Sequence, residues 1–521
     1  MRTTSNLVLV GALVTTQACG TEADDQSFRS SYTTNSTLDG GDGGSCTSED
    51  IDIAPRRSLF ETSRAALAGF SMSETLSAAA TNDGLTTNPI VLHDQMIDTY
   101  NEGPGLGLGG HCNDQLDAAG QPILNGHPLR CPRVEGGHIG DIDGWFPIAA
   151  VNRFDLAPAD GSNCGEARLV FANNSLGRMF TIFEAQIPNP NPGCGLAACA
   201  PVQEFWASLS DVDDAATRGA MLHGAFITGD PALVAAGFGP FVRASNYSVG
   251  TGQVRTNNFD EFPIWTLREF KLVAVGLGGP KIIGQRPRLR AVEVPVAANL
   301  HGGLWDENAK HPVGEKCREA IVGTVSQLMN DDLNLMGVAV PTECLAAESE
   351  DNSSNEFMDI LDDSPVLSAA IQAEILANDP SSTLLPMHIA NRAAFAGACI
   401  GCHQQSTGDD LGNGVVGPQT LGFVHTDEFS SGACGDGTAD CFDISDALTS
   451  FFLPHRENVM EQFLGGAPCC NSDIIDPPIP LPIAELDAED ATPAAIAEAE
   501  AAKDAEVDPM TIGGAPSGRT H

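Results

Sequence analysis

Cys399-Ile400-Gly401-Cys402-His403 is the densest concentration of reactive side chains in the chain. Two thiols separated by two residues can close a disulfide or form half of a zinc site. They can also form thioether bonds to the two vinyl groups of one haem, with the next residue, His403, under the iron as proximal ligand. A redox disulfide asks for a thioredoxin-like βαβ frame, and a zinc site asks for a second ligand pair at fitting spacing. Neither stands in this sequence. The spacing therefore points to a single covalent haem c on Cys399, Cys402 and His403.

A second axial ligand has three candidates. Met460 is the only later methionine before the tail, but it lies in Pro454–Leu464, which reads as a helix. There Val459, Met460, Phe463 and Leu464 form an apolar face, so Met460 reads equally as core. His455 and His425 compete with it for the distal position. His388 reads as a capping or surface residue. Phe423, Phe429, Phe451 and Phe452 are candidates for an apolar wall around the haem, or for ordinary core.

Helices must deliver these residues. The run from about Pro386 to Ala398 reads as a helix leading into Cys399. Before it, Ser364 as cap and Pro365 at the first position open a helix that runs to about Ala377 and stops at Asn378-Asp379-Pro380. Asp351–Glu356 is a polar break and a candidate domain boundary. The larger region upstream, 51–350, mixes signals. Ser63–Ala80 and Val202–Ile227 read as helical. Leu169–Phe171, Met179–Phe183 and Thr251–Val273 read as strands. The two kinds do not alternate cleanly, which predicts an α+β domain.

Acidic residues outnumber basic ones 69 to 26, a formal net charge of −43. Such a surface repels nucleic-acid phosphates and excludes that class of partner. Residues 1–19 read as a lipoprotein-type export signal: Arg2, the short apolar run Leu7–Val14, then Ala18-Cys19-Gly20, with Cys19 as the lipidated residue and membrane anchor. Residues 20–50 read as a disordered linker, and 471–521 as a low-complexity acidic tail. Fifteen cysteines fit an exported, disulfide-bearing protein. Local spacing suggests the pairs Cys112–Cys131, Cys194–Cys199, Cys317–Cys344 and Cys434–Cys441, and leaves Cys46, Cys164 and Cys469-Cys470 unplaced.

On the Cys-x-x-Cys-His motif, residues 356–470 resemble a cytochrome c domain. The resemblance implies a small, mostly-α fold and one-electron transfer to a redox partner protein or a small-molecule donor or acceptor. The wider pattern also resembles large exported proteins of marine and soil myxobacteria. That likeness rests on Val151–Leu156, Cys164-Gly165-Glu166, Gln253–Asn257 and Trp265–Phe270, and implies the periplasm or outer membrane of a Gram-negative cell. The alternatives are a haem enzyme, peroxidase- or oxygenase-like, with an open sixth site, and a surface binding lipoprotein. Upstream, Gly140–Gly144 reads as a turn rather than a calcium loop. Asp155, Glu166 and Glu184 read as a structural network neutralised by Arg153 and Arg255 rather than as catalytic carboxylates. Trp145, Trp206, Trp265 and Trp305 read as core or pocket walls.

Overall fold

The structure, a computed structural model, describes residues 52–258, 264–276, 286–294, 299–350, 356–434, 439–466 and 485–486. The expected signal with Cys19, the linker 20–50, Cys46, Cys469-Cys470 and the tail other than 485–486 lie outside the described residues.

Short β-branched and aromatic runs in the upstream region assemble into one sheet of nine strands. These are β1 (Phe60–Glu61), β2 (Phe146–Arg153), β3 (Asn163–Asn173), β4 (Met179–Pro188), β5 (Gln253–Asn258), β6 (Ile264–Val275), β7 (Arg288–Val294) and β8 (Glu348–Glu350), with β11 (Glu485–Leu486) added last. The order is β1-β2-β3-β4-β5-β6-β8, with β7 and β11 also on β6. Every pairing is antiparallel except β11 with β6. An antiparallel sheet often leaves one face wet, which gives alternating burial. Here β5 and β6 are buried almost without interruption, because both faces are covered.

On one face Ala167, Leu169 and Phe171 of β3 meet Phe183 and Ala185 of β4, and the rings of Phe171 and Phe183 cross edge to face at 5.9 Å. Helices α1 (Met72–Thr81) and α2 (Pro89–Ile97) belong to the same continuous apolar core. The expected helix over Val202–Ile227 is split into α3 (Ala200–Ser208) and α4 (Ala215–His223), since Asp214 caps a new start by accepting from the Thr217 N–H.

The C-terminal region contains α5 (Phe357–Asp362), α6 (Pro365–Asn378), α7 (Pro386–Gly397) and α8 (Leu453–Gly465). The bounds of α6 and α7 fall within a residue of expectation. The cap of α6 does not: Ser364 Oγ donates to the Trp305 carbonyl, and the Glu307 carboxylate receives the Val366 and Leu367 N–H groups. Between α7 and α8 the expectation of a small, mostly-α unit fails. That stretch forms the short hairpin Asp410–Val416 and a longer one, β9 (Thr426–Ala433) with β10 (Ala439–Ile444). Gly412 and Gly414 hold positive φ at the turn of the first, a conformation that ends helices and costs other residues strain. The fold is therefore a large antiparallel sheet with helices, and the small, mostly-α cytochrome unit expected after it is replaced by helices and hairpins.

The C-terminal region shares its apolar core with the sheet. Buried Arg392 of α7 donates to the carbonyls of Leu328, Asn330, Leu411 and Gly412 and pairs with Asp331. Arg178, before β4, forms a two-pronged pair with Glu428 of β9 at 2.5 and 2.7 Å.

Disulfides join Cys112–Cys131, Cys317–Cys344 and Cys434–Cys441 as the spacing suggests. Cys199 instead pairs with Cys164 of β3. Cys194, although nearer in sequence, lies across a left-handed kink at Gly195, and it is disulfide-bonded elsewhere. Four such bonds place the protein in an oxidising, exported compartment. Among the described residues no helix is long and apolar enough to cross a membrane.

Candidate cofactor site

Helix α7 delivers Cys399 as expected, and the motif continues in a single π-helical turn over Gly401–Gln405. Such turns recur at functional sites. The close approach of this turn to α7 explains Gly401: a Cβ there would overlap the Ala394 carbonyl. Two side chains of the upstream region hold the motif's backbone. Asn299 Oδ1 accepts from the Cys399 N–H at 2.7 Å, and Ser349 Oγ of β8 accepts from the Ile400 N–H at 3.2 Å.

Cys399 and Cys402 are buried thiols, whereas the other cysteines among the described residues are disulfide-bonded. His403 is buried with its ring against the indole of Trp265, centroids 4.3 Å apart and planes at 27°. The His425 ring is also close to it, at 4.4 Å and tilted by 47°. The His403 ring donates to the backbone carbonyl of Phe423, a residue at φ 68. Positive φ on so bulky a side chain is strained, and such strain collects at functional sites. Burial pushes the His403 pKa down to about 3 and that of His425 well below its usual value, with the His403 and Arg456 charges acting in the same direction on His425. Both rings are therefore neutral at pH 7 and able to ligate a metal.

His425 Nε2 lies 3.7 Å from Cys402 Sγ, while its Nδ1 shares a 2.8 Å hydrogen bond with Ser445 Oγ. Both imidazoles open into a cavity of ≈ 90 Å³. Its floor is one face of the sheet: Phe60, Val151, Val170, Phe180, Ile182 and Trp265, with Arg168 and Asn257 as polar members. Its roof is Val424, His425, Thr426 and Leu448. The lining, mostly apolar with a few polar groups, is that of small-molecule sites, while the volume lies below their usual range of about 300–1,000 Å³.

The three distal candidates separate. Only His425 lines this cavity. Met460 is fully buried on α8, its sulfur 3.8 Å from Asn152 Nδ2. Asn152 follows the cavity residue Val151 on β2, and successive strand residues face opposite sides of a sheet. His455 is half-buried in the first turn of α8, outside the cavity. Of the proposed aromatic walls, Phe452 meets His425 edge-on at 6.1 Å, and Phe423 supplies its carbonyl rather than its ring. Phe451 is half-buried, and Phe429 is 58% exposed, under Arg178. The apolar walls come mainly from the sheet, which no local spacing in residues 356–470 could reveal. Of the tryptophans, Trp265 is the one on the cavity.

Next to the cavity, the same sheet face carries a closed ion network. Arg153 pairs with Asp155, Arg168 with Glu166 and Glu184, and Arg255 with Glu184 and Glu269, at 2.7–3.1 Å. Neutralised in this way, the carboxylates are structural. Asp141 accepts from Asn173 and Ser175 and sits in a turn. His388 Nδ1 accepts from the Leu385 N–H, a helix cap as expected.

No protein-family model, curated protein or solved structure matches the chain.

Proposed function

We propose that the protein is a monohaem c-type cytochrome that transfers single electrons outside the cytoplasm. The observation that carries this reading is the Cys-x-x-Cys-His turn itself, with two buried thiols, two neutral imidazoles on one apolar cavity, and His425 Nε2 3.7 Å from Cys402 Sγ. A covalent haem would be held by thioethers from Cys399 and Cys402 and by the His403 imidazole, whose N–H rests on the Phe423 carbonyl, with His425, oriented by Ser445, as the other imidazole at hand. Anchoring the second ring nitrogen is how proteins fix a ligating imidazole. A bound haem iron supplies one-electron exchange between its ferrous and ferric states. The chain holds both imidazoles in place, and Val170, Phe180, Ile182 and Leu448 would keep water from them. With a net charge of −43, a basic redox protein is the partner that long-range electrostatics would steer to it. Cys19 would tether the chain to the membrane in the periplasm or at the outer membrane of a Gram-negative cell.

The test is full-length protein matured with a haem-attachment system, followed by a pyridine haemochrome assay and intact-mass analysis. One haem per chain is expected, lost in Cys399→Ala/Cys402→Ala. Colourless wild-type protein, with the two cysteines as thiols or joined to each other, would sink the reading. A five-coordinate spectrum would instead redirect it to a haem enzyme.

A further inference from the structure

A larger cavity, of ≈ 510 Å³, shares no lining residue with the one beside the motif. It lies between α2, Gly107-Leu108 and the start of β7. Its volume falls within the usual range of about 300–1,000 Å³ for small-molecule sites. Buried Leu92 and Leu289 form the floor, and Thr86, Asn88 and Arg288 are exposed at the rim. The rim is tied to the strand: the Thr86 N–H donates to the Pro287 carbonyl at 3.1 Å, and the Thr86 carbonyl accepts from the Leu289 N–H at 2.9 Å.

The polar groups of this cavity have donors to spare. Among the described residues Arg288 has neither an ion pair nor a side-chain hydrogen bond, and the same holds for Arg290, on the same face of β7. In a chain with 69 acidic and 26 basic residues, a guanidinium without a carboxylate is the exception. Thr87 and Asn88 likewise use no side-chain donor among the described residues, and Asn88 precedes α2 without capping it. Gln95 Oε1 accepts from the Ala291 N–H at 3.0 Å, which leaves its amide N–H groups as the free end. No Asp, Glu, His or Cys lines the cavity, so nothing in its wall repels an anion or offers acid–base chemistry.

We propose that this cavity binds a small organic monocarboxylate with an apolar body. Arg288 pairs with the carboxylate at the rim, a geometry guanidinium suits. Thr87, Asn88 and Gln95 supply further donors, and the apolar body lies on Leu92 and Leu289. The site uses none of the residues of the haem reading and stands apart from it.

Calorimetric titration of the full-length protein with butanoate, hexanoate, octanoate and decanoate tests this. One site per chain is expected, with affinity rising roughly fourfold per added methylene until the cavity is full. Arg288→Gln should weaken octanoate roughly tenfold, the loss of a charged hydrogen-bond partner. Leu108→Trp should block the cavity and remove octanoate binding. If either variant fails to fold, the chain-length series and a comparison with octylamine decide on wild-type protein. No saturable binding at any chain length, octylamine bound as tightly as octanoate, or an unchanged octanoate affinity in folded Arg288→Gln would overturn the proposal. A colourless protein that binds octanoate sinks the haem reading alone, and a haem protein that does not sinks only this one.

Discussion

Two groups of imidazoles packed against one another invite comparison: one fully buried, the other built on buried His127 with half-buried His301 and His311. His403 and His425 face one another at 4.4 Å. His127 stands 4.7 Å from His301 and lies parallel to His311 at 4.9 Å. Burial lowers the pKa in both groups, to about 3 for His403 and His301 and about 4 for His127. A depressed pKa therefore does not tell a ligand from a core histidine. What differs is the company. The first pair has the Cys402 thiol at hand and opens into an apolar cavity. The second group packs between a short hairpin, Ile123–Pro128, and the segment around Glu343, whose carbonyl receives the His127 Nε2–H at 2.9 Å. Among the described residues no set of three or more His, Cys, Asp or Glu is arranged to hold a metal ion. That holds for both groups, so the contrast between them lies in the cavity and in the Cys402 thiol beside His425, and it can be attacked directly.

The sharpest attack exchanges the two sites. His403→Ala should abolish the low-spin spectrum of the haem protein, and His425→Ala should convert it to a five-coordinate or exchangeable form. His301→Ala should leave it unchanged while lowering the midpoint of thermal unfolding. A His301→Ala protein with an altered haem spectrum would erase the distinction. Met460→Ala comes next in size. Placed in the core against Asn152, this side chain should cost about 2–5 kcal/mol of stability on truncation, read by denaturant titration, with the absorption spectrum untouched. Loss of the distal band in that variant would restore Met460 as a ligand and remove His425.

What was legible in the sequence was whatever depends on near neighbours. The Cys-x-x-Cys-His spacing, the bounds of α6 and α7 at Pro365 and Pro386, the His388 cap and three of four local disulfides are set within a few tens of residues. What was not legible depends on chain segments that meet across the fold. Trp265 lay in a run read correctly as strand, yet its alternation could not say which face would meet His403, far along the chain. Phe60, Val151 and Phe180 look like ordinary strand residues until the C-terminal region closes over them. Cys164 was passed over for Cys199 because β3 brings it there through space. The helical expectation for 404–447 came from the family resemblance and lost to local glycine conformation.

The smallest expected effect separates the two imidazole groups by pH. His127 is fully buried, faces His301 and His311, and has a folded pKa lowered to about 4 by burial against an ordinary value of 6.5. Above pH 6.5 the ring is neutral in both folded and unfolded chains and contributes no pH slope. Below that, the unfolded chain binds a proton that the folded chain refuses, so stability falls as pH drops towards 4. Between pH 7.5 and pH 5 the loss from His127 alone should be about 2 kcal/mol. His127→Gln keeps an N–H for the Glu343 carbonyl but cannot titrate. Urea titrations of this variant and the wild type should therefore converge as pH falls, with the wild type losing more. Parallel pH profiles would show that His127 takes up its proton over the same pH range folded and unfolded, and the comparison of the two groups would lose its basis in shared burial.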